Sequence, residues 1–296
     1  MIQKERCQAK NPQTCWRHGT GVGFDANRDI HDRLKTGTSV IVQPGVYSLK
    51  RMESPELAEH VVYAAQMLPE VSSEKVRKAV LLASDLHKTD TRSIRLHHDQ
   101  TPYIEHPLRN TLRLIRLGLK SETVINGSIL HDTVEDHPFE MATKAGVETT
   151  DEQEAREACY KYIEQHYGKR TAEMVKGMSN PIADKKVRVP WEEKNKAYAA
   201  HVVEAIENPD VLLGKVSDFI DNALSLHHTE SAMSPVGLHR KASKYLLVSA
   251  ALRGRILAGI AKGDVPLSDT SLAKIYVQLT KGEETLRRIQ KQYPSK

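Results

Sequence analysis

The chain has 296 residues, of which 39% are hydrophobic and 27% are charged, and its mean hydropathy is −0.50. These values are typical of a folded globular protein and exclude a chain that is disordered throughout. No segment approaches the run of about 18 apolar residues that spans a bilayer, so we expect no membrane partner. The net charge of +5 is too small to predict a nucleic-acid partner, although it is compatible with an anionic small molecule.

Cysteine usage indicates the compartment. Three cysteines are too few for a disulfide framework, and the N-terminus lacks the apolar core of a secretory signal, so the sequence predicts a cytoplasmic protein. Cys7, Cys15 and His18 lack the close cysteine pair of most zinc sites. Free surface cysteines are therefore the favoured interpretation, and a zinc site completed by His31 is the alternative.

Residues 1–54 differ from the rest of the chain because they are rich in glycine, asparagine, threonine and proline. Within them, Ser39–Val42 and Val46–Leu49 predict two strands joined by a turn at Gln43–Gly45. We predict a small irregular N-terminal extension over residues 1–54, whose role the sequence leaves open.

From Pro55 onward, apolar residues recur at steps of three and four, the period of an amphipathic helix. The pattern predicts an all-α protein, with a helical domain over residues 55–235 and C-terminal helices over 236–296 that pack on it. Polar loops are predicted at Met141–Thr150 and Ser179–Pro190. The later helices are predicted over 152–166, 170–178, 192–207, 211–226, 237–261 and 270–291. Four basic residues of the helix at 237–261 are predicted to face solvent, and a place at the edge of a ligand site is the alternative: Lys241, Lys244, Arg253 and Arg255.

The densest cluster of ionisable groups lies in Ile129–Asp136. The His131-Asp132 doublet offers an imidazole nitrogen and a carboxylate oxygen, and both are ligands of first-row metals. On a single helix, Glu135 lies over His131 and Asp136 lies over Asp132, so two more carboxylates would stand beside a metal-bound water. The alternative interpretation is a solvated acidic turn.

One doublet cannot fill the coordination sphere of a metal, so other ligands must come from elsewhere in the chain. His106 lies just before a helix whose first residue is predicted to be Pro107. Asp218 follows an apolar run, and Asn222 lies one turn later on the same helix face. Two further doublets lack an apolar lead-in and trailing acids and are predicted to be surface residues: His31-Asp32 and His98-Asp99.

Four segments carry these residues in order: His87–Arg92 (HKTDTR), Pro102–Pro107 (PYIEHP), His131–Asp136 (HDTVED) and Lys215–Asn222 (KVSDFIDN). They resemble the motifs of the HD-domain metal-dependent phosphohydrolases. The resemblance is closest to the hydrolase domain of the RelA/SpoT-homologue alarmone enzymes, including the small alarmone hydrolases. It covers roughly residues 75–230 and implies an HD-domain helical bundle.

The resemblance implies removal of the 3′-pyrophosphate from guanosine 3′,5′-bis(diphosphate), ppGpp, or from pppGpp, so the partner is a small-molecule nucleotide. An oligomer is compatible with the sequence. One divalent ion per chain, typically Mn²⁺, is implied at His106, His131, Asp132 and Asp218. Glu135 and Asp136 would activate and position the attacking water. Substrate-binding roles are implied for Arg92, Tyr103, Lys215, Asn222 and Ser225. His87 is not a ligand in the family and is interpreted as a packing or pocket-wall residue.

The departures from the family pattern concentrate around the substrate. Asp90 stands where the family carries Gln, His137 where it carries Thr, and Leu224 where it carries a substrate-facing Arg. About four residues are inserted between Arg92 and Tyr103. The alternatives are therefore an HD phosphohydrolase that acts on another nucleotide, such as a dNTP or a nucleoside monophosphate, and a nucleotide-sensing module without turnover.

Overall fold

The structure of the chain, a computed structural model, consists almost wholly of α-helices, as predicted. It describes residues 49–95, 98–182, 187–229 and 233–293, together with His31 and Leu34. The helices of these residues are α1 (Ser54–Gln66), α2 (Ser73–Leu86), α3 (Glu105–Arg116), α4 (Glu122–Leu130), α5 (Thr133–Asp136), α6 (Pro138–Lys144), α7 (Glu152–Tyr167), α8 (Lys169–Met178), α9 (Trp191–Ala205), α10 (Pro209–Ala223), α11 (Pro235–Lys262) and α12 (Asp269–Gln292). Short 3₁₀ turns cover Leu49–Arg51 and Leu226–Thr229.

A small hairpin interrupts the helices between α2 and α3. Its strands are β1 (Thr91–Arg95) and β2 (His98–Pro102), which pair antiparallel with Arg92 opposite Thr101. The hairpin spans the stretch between Arg92 and Tyr103 in which the sequence analysis places about four inserted residues. Arg92 itself lies on β1, in a place where the sequence analysis expected only a remodelled loop.

Polar side chains explain where several helices begin. Ser121 accepts a hydrogen bond from the backbone amide of Val124 at the start of α4. Asn208 does the same for Asp210 at the start of α10, whose first residue is Pro209. Such caps satisfy amides that have no partner inside the helix, and a proline in the first position loses no helical hydrogen bond.

Helix α10 is the central element of the fold. It packs against α3, α4, α8, α11 and α12, and most of its residues are buried. Gly214 allows α8 to approach closely, because a Cβ at this position would collide with the sulfur of Met178. Helix α4 approaches α8 in the same way at Gly127, opposite Met174.

Two predicted boundaries are wrong. The predicted loop over Met141–Thr150 begins inside α6, because Pro138 starts a helix and the buried Met141 holds it against α7. Helix α3 begins at Glu105, two residues before the predicted start at Pro107. Proline is tolerated there because the amides of a first turn have no helical partner.

The predictions for the N-terminus lie almost entirely outside the described residues. Cys7, Cys15 and the strand pair within Ser39–Leu49 belong to this part, of which Leu49 is described as the start of a 3₁₀ turn. The domain limits after residues 54 and 235 stay predictions. Lys50, on the N-terminal side of the first limit, forms a 2.9 Å ion pair with Asp221 of α10.

The last two helices pack against each other and against α10. Because α9, α10 and α12 cover α11 on several sides, the prediction of a solvent-facing basic helix is wrong for three of its four residues. Arg255 is buried, Arg253 forms an ion pair with Glu283, and Lys244 is half-buried, whereas Lys241 is exposed. Helix α11 spans 28 residues, but none of the described helices is apolar enough over a sufficient length to cross a membrane.

The close approach of α8 and α10 predicts that Gly214→Val destabilises the protein. The added methyl groups must displace Met174 and Met178, and overpacking of this kind costs about 1–3 kcal/mol. Urea denaturation followed by circular dichroism measures this loss. Gly254→Val on α11 is the matched control, since a Cβ there meets nothing within 4 Å, and its effect should stay within about 0.5 kcal/mol. Equal losses in both variants would contradict the close approach.

Candidate functional site

The four residues predicted as metal ligands lie together in one pocket. His106 comes from the first turn of α3, His131 and Asp132 from the turn between α4 and α5, and Asp218 from α10. His106 Nε2 is 2.9 Å from Asp218 Oδ1 and 3.7 Å from Asp132 Oδ2. His131 Nε2 is 3.0 Å from the same Asp132 oxygen. The structure thus brings together the whole predicted ligand set.

The hydrogen bonds of the two imidazoles leave the appropriate nitrogens for a metal. His106 Nδ1 lies 2.9 Å from the Asp221 carboxylate, and His131 Nδ1 lies 2.9 Å from the carbonyl oxygen of Ser128. Each Nδ1 is therefore assigned the proton, and each Nε2 turns a lone pair into the pocket. His131 Nε2 is buried and, apart from its 3.0 Å contact with the carboxylate of the adjacent Asp132, has no hydrogen-bond partner. Two imidazoles and two carboxylates in this arrangement fit a first-row divalent ion.

The His131-Asp132 doublet lies in a turn and not inside one continuous helix, which corrects the expectation for residues 129–136. Helix α4 ends at Leu130 and α5 begins at Thr133, whose hydroxyl donates a 2.7 Å hydrogen bond to the Leu130 carbonyl. The backbone amide of Asp136 still donates to the Asp132 carbonyl at 2.9 Å. Asp136 therefore lies one turn from Asp132, as predicted.

Asp221 organises the site and was missed by the sequence analysis. Besides accepting from His106, its buried carboxylate forms ion pairs of 2.9–3.1 Å with three cations: Lys50, Arg109 and Arg113. Burial by itself raises the pKa of Asp221, but the charges of these cations and the His106 hydrogen bond hold that pKa well below its usual range. The ionised carboxylate keeps His106 in the tautomer that a metal requires. Asp221 follows Asp218 by three residues. Ordinary amphipathic helices show the same spacing, so it did not single out Asp221 in the sequence.

The two acids that follow the doublet have different surroundings. Asn180 holds Glu135, because its backbone amide and its side-chain amide donate to the two carboxylate oxygens at 2.9 and 2.8 Å. Asp136 lines the pocket beside the hydroxyl of Tyr103. Burial, followed by the charges of Asp132 and Glu135, raises the pKa of Asp136 to about 6. A carboxyl group with this pKa is suited to accept a proton near neutral pH.

Two lysines bring positive charge to the pocket. Lys215 is buried on α10 and donates a 2.6 Å hydrogen bond to the carbonyl of Met178. Lys244 reaches the pocket from α11, and its Nζ lies 3.9 Å from the ring centroid of Tyr198. The sequence analysis placed Lys244 in solvent, because only the packing of α11 on α9 shows which face of the helix is covered.

Asn222 and Tyr103 contact the metal ligands directly. Asn222 donates to Asp218 Oδ1 at 2.6 Å and accepts a hydrogen bond from Arg92. The Tyr103 hydroxyl donates to Asp132 Oδ2 at 2.8 Å, and the Arg92 guanidinium lies 5.3 Å from the Tyr103 ring centroid. These predicted substrate residues therefore also orient the two carboxylates of the candidate metal centre.

Not every predicted residue reaches the pocket. Ser225 lies in the turn after α10 and does not line the pocket, and Leu224 packs toward Gly282 of α12. His87 stacks on Tyr103 with 4.6 Å between ring centroids. The pocket is lined by Arg92, Tyr103, His106, His131, Asp132, Glu135, Asp136, Met178, Asn180, Tyr198, Lys215, Asp218, Asn222, Lys244 and Tyr245.

Asp221→Asn is expected to lower both the stability and the metal affinity. The neutral amide leaves the buried Arg109 and Arg113 without their anion, and breaking a buried ion pair costs about 3–5 kcal/mol. Loss of the partner that orients a metal-binding histidine typically lowers metal affinity about 10–100-fold. Urea denaturation and calorimetric titration with Mn²⁺ measure the two effects.

The matched control is Asp85→Asn. Asp85 pairs with Lys144 at the surface, where an ion pair contributes at most about 1 kcal/mol. If both variants lose the same stability and both bind the metal as the unmodified protein does, Asp221 does not organise the site.

Part of the chain is similar to known proteins. No protein-family model matches it. A guanosine-3′,5′-bis(diphosphate) 3′-pyrophosphohydrolase from Aquifex aeolicus is 30% identical over 154 residues, which is 52% of this chain and 18% of that protein. The bifunctional (p)ppGpp synthase/hydrolase SpoT of Escherichia coli is 30% identical over 159 residues, which is 54% of this chain and 19% of that protein.

A longer match is to a guanosine-3′,5′-bis(diphosphate) 3′-pyrophosphohydrolase from Vibrio cholerae, which is 27% identical over 213 residues, or 72% of this chain and 26% of that protein. The chain thus spans about a fifth of the length of the first two relatives. These similarities agree with the motif order, the helical fold and the grouped His and Asp ligands. The matched part of the chain is similar to ppGpp hydrolases of the RelA/SpoT type, and the helical structure is consistent with the HD class.

Proposed function

We propose that the chain is a metal-dependent hydrolase that removes the 3′-pyrophosphate from guanosine 3′,5′-bis(diphosphate). The observation that carries the proposal is that one pocket is lined by the four candidate metal ligands, by acids beside them and by cations suited to bind phosphate. Three of the four candidates, His106, His131 and Asp132, have ligand atoms within 4.8 Å of one another. The similar proteins from Aquifex aeolicus and Escherichia coli are named for hydrolysis of the same substrate. The products are GDP and pyrophosphate, or GTP and pyrophosphate from pppGpp.

We assign the metal to His106, His131, Asp132 and Asp218, whose mixed nitrogen and oxygen donors suit a first-row divalent ion, and we propose Mn²⁺ because the family resemblance implies it. A bound divalent ion lowers the pKa of water and neutralises charge on phosphoryl oxygens. The protein's own contribution is to hold the ligands in place. Asp221 does this for His106, as described above.

Glu135 and Asp136 are proposed to handle the attacking water in different ways. Asn180 holds both oxygens of Glu135, so this side chain is suited to orient the water. Asp136 has a pKa near neutrality and is suited to accept the proton of the water at its carboxylate. This division of roles refines the sequence analysis, which treated the two acids as equivalent.

The cations of the pocket are proposed to bind the phosphates of the substrate. Arg92 and Lys215 occupy the positions that the family resemblance indicates, whereas Leu224 replaces a cation and packs toward α12. Lys244 comes from a different helix and returns one positive charge to the same pocket. The pocket thereby keeps three cations for an anionic substrate.

A second candidate function is hydrolysis of another nucleotide. The observation that favours it is the hairpin β1–β2, which changes the surroundings of Arg92 relative to the family pattern. Tyr103 and Asn222 are engaged with the carboxylates of the metal centre, so their contacts do not decide which base is bound.

A turnover assay with Mn²⁺ distinguishes the candidates. Purified protein is offered ppGpp, a panel of dNTPs and nucleoside monophosphates, and products are resolved by ion-exchange chromatography. We expect GDP and pyrophosphate from ppGpp. Turnover of another nucleotide with ppGpp untouched would contradict the substrate, and a silent panel with metal bound would support the sensing module.

The proposed water-handling role is tested by Glu135→Gln combined with Asp136→Asn. Removal of a general base typically costs about 10²–10⁴-fold in rate. We expect a loss of this size while calorimetry still detects Mn²⁺ binding, because the four ligands are unchanged. Asp218→Ala is the companion variant and should lose both metal and turnover. Full turnover in the double variant would refute the role.

Lys244→Met is expected to weaken substrate binding. The loss of a hydrogen bond to a charged group, about 1.5–3 kcal/mol, corresponds to a rise in KM of about 10–100-fold with a smaller change in kcat. Lys262→Met in the last turn of the same helix is the control, because Lys262 is exposed and does not line the pocket. Equal kinetics in the two variants would show that Lys244 does not contact the substrate.

A further inference from the structure

A second group of metal-ligand side chains lies outside the site described above. His87 Nδ1 is 2.9 Å from Asp90 Oδ2, and His137 Nε2 is 2.6 Å from the same oxygen. The two imidazole nitrogens are themselves 3.1 Å apart. We propose that His87, Asp90 and His137 form a second site for a divalent first-row transition-metal ion, distinct from the centre formed by His106, His131, Asp132 and Asp218.

The geometry of the three donor atoms supports the proposal. First-row ions bind imidazole nitrogen and carboxylate oxygen at about 2.0–2.2 Å, so neighbouring ligand atoms on one face of the ion lie about 2.9–3.4 Å apart. The donor atoms of His87, Asp90 and His137 form a triangle with two edges of 2.9 and 3.1 Å, within this range, and a shorter edge of 2.6 Å between His137 and Asp90. Two imidazoles and one carboxylate on one face are a donor set of transition-metal sites, with the remaining positions open to water.

Each ligand is attached to a well-defined backbone position. His87 is the residue that caps the C-terminus of α2, and the backbone amide of Asp90 donates to its carbonyl at 3.1 Å. His137 stands between α5 and α6. The other ring nitrogen of His137 lies 4.0 Å from a carboxylate oxygen of the exposed Glu140. Two segments, residues 87–90 and the turn at His137, therefore converge without a change in the backbone.

The cluster is also accessible to an ion. The side chain of His87 is fully buried, whereas those of His137 and Asp90 are 13% and 31% exposed. The buried imidazole provides an apolar floor beside Tyr103, and the carboxylate faces water. An ion can therefore enter from the solvent side and still be held by a rigid ligand.

Two of the three ligands are the positions at which the chain departs from the family motifs. Asp90 stands in place of Gln and His137 in place of Thr, and they are far apart in sequence. Either residue alone would leave two ligands, but both together with His87 complete a triad. The two departures thus act together in the fold, because both are needed to complete the triad with His87. The sequence analysis treated them as separate changes near the substrate.

An ion at this second site would brace the proposed catalytic pocket without contacting the substrate. It would join the end of α2, the turn before Arg92 and the segment that follows Asp136. His87 also stacks on Tyr103, whose hydroxyl donates to Asp132 of the first centre. The ion is therefore assigned a positioning role.

Metal stoichiometry tests the proposal independently of any catalysis. The full chain carrying Cys7→Ser and Cys15→Ser, which removes thiolate ligands, is stripped with chelator and dialysed against Co²⁺. Bound metal is counted by elemental analysis, and the visible absorption of Co²⁺ reports its ligand field. We expect about two ions per chain. Asp90→Gln with His137→Thr should lose one ion and keep the other, and Asp218→Ala should show the reverse.

Controls separate folding from ligation. Asp90→Asn alone keeps the shape of the side chain and should weaken one of the two binding steps about tenfold or more. His166→Gln removes an exposed imidazole on α7 and should leave both ions bound. Circular dichroism checks that each variant is folded.

The outcomes are distinct. If the chain with both metal sites unchanged binds one ion, and Asp218→Ala removes it, the second site is overturned and the first is left intact. One ion that disappears only with the Asp90 and His137 substitutions would support the second site and contradict the first. Two ions that survive those substitutions would place the additional ion elsewhere and overturn the proposal.

Discussion

The buried carboxylate of Asp221 is the interaction on which the candidate site depends. It joins α10 to α3 through Arg109 and Arg113, and it joins α10 to the segment before α1 through Lys50. A buried charge cluster is stable only while every member keeps its partners, so α3 and α10 cannot slide past one another without leaving a cation unpaired. The same carboxylate accepts from His106 Nδ1. Stability of the fold and orientation of a ligand therefore rest on the same atoms.

The charge balance of the pocket would give the proposed metal ion a second role besides chemistry. Four carboxylates line it, at Asp132, Glu135, Asp136 and Asp218, against three cations at Arg92, Lys215 and Lys244. Without an ion the carboxylates outnumber the cations by one, and an anionic substrate meets a pocket that is slightly negative. A divalent ion reverses the sign. In such a site the bound ion therefore contributes more to the local electrostatic potential than any single side chain does.

The helical fold could be predicted from local patterns, whereas the candidate ligand set came from the resemblance of four short segments to the motifs of a known family. Helical periodicity is visible within a few turns, and the acidic residues Glu135 and Asp136 follow the His131-Asp132 doublet within four positions. Asp221 and Asn180 were missed for the opposite reason. Their importance comes from contacts with residues more than forty positions away, which no short spacing reveals. Lys244 was placed in solvent because its helix shows a polar face that only tertiary packing covers.

The departures from the family pattern lie outside the four candidate metal ligands. The insertion falls in the hairpin that carries Arg92, and Leu224 follows the last turn of α10 and packs toward α12. The insertion therefore changes the chain beside the pocket while the candidate ligands stay anchored by α3, α4 and α10. Asp90 and His137 are instead neighbours of the core motifs, yet they turn toward His87 and away from the first centre. The fold thus separates what must stay constant, the ligand geometry, from the surfaces on which a substrate preference can change.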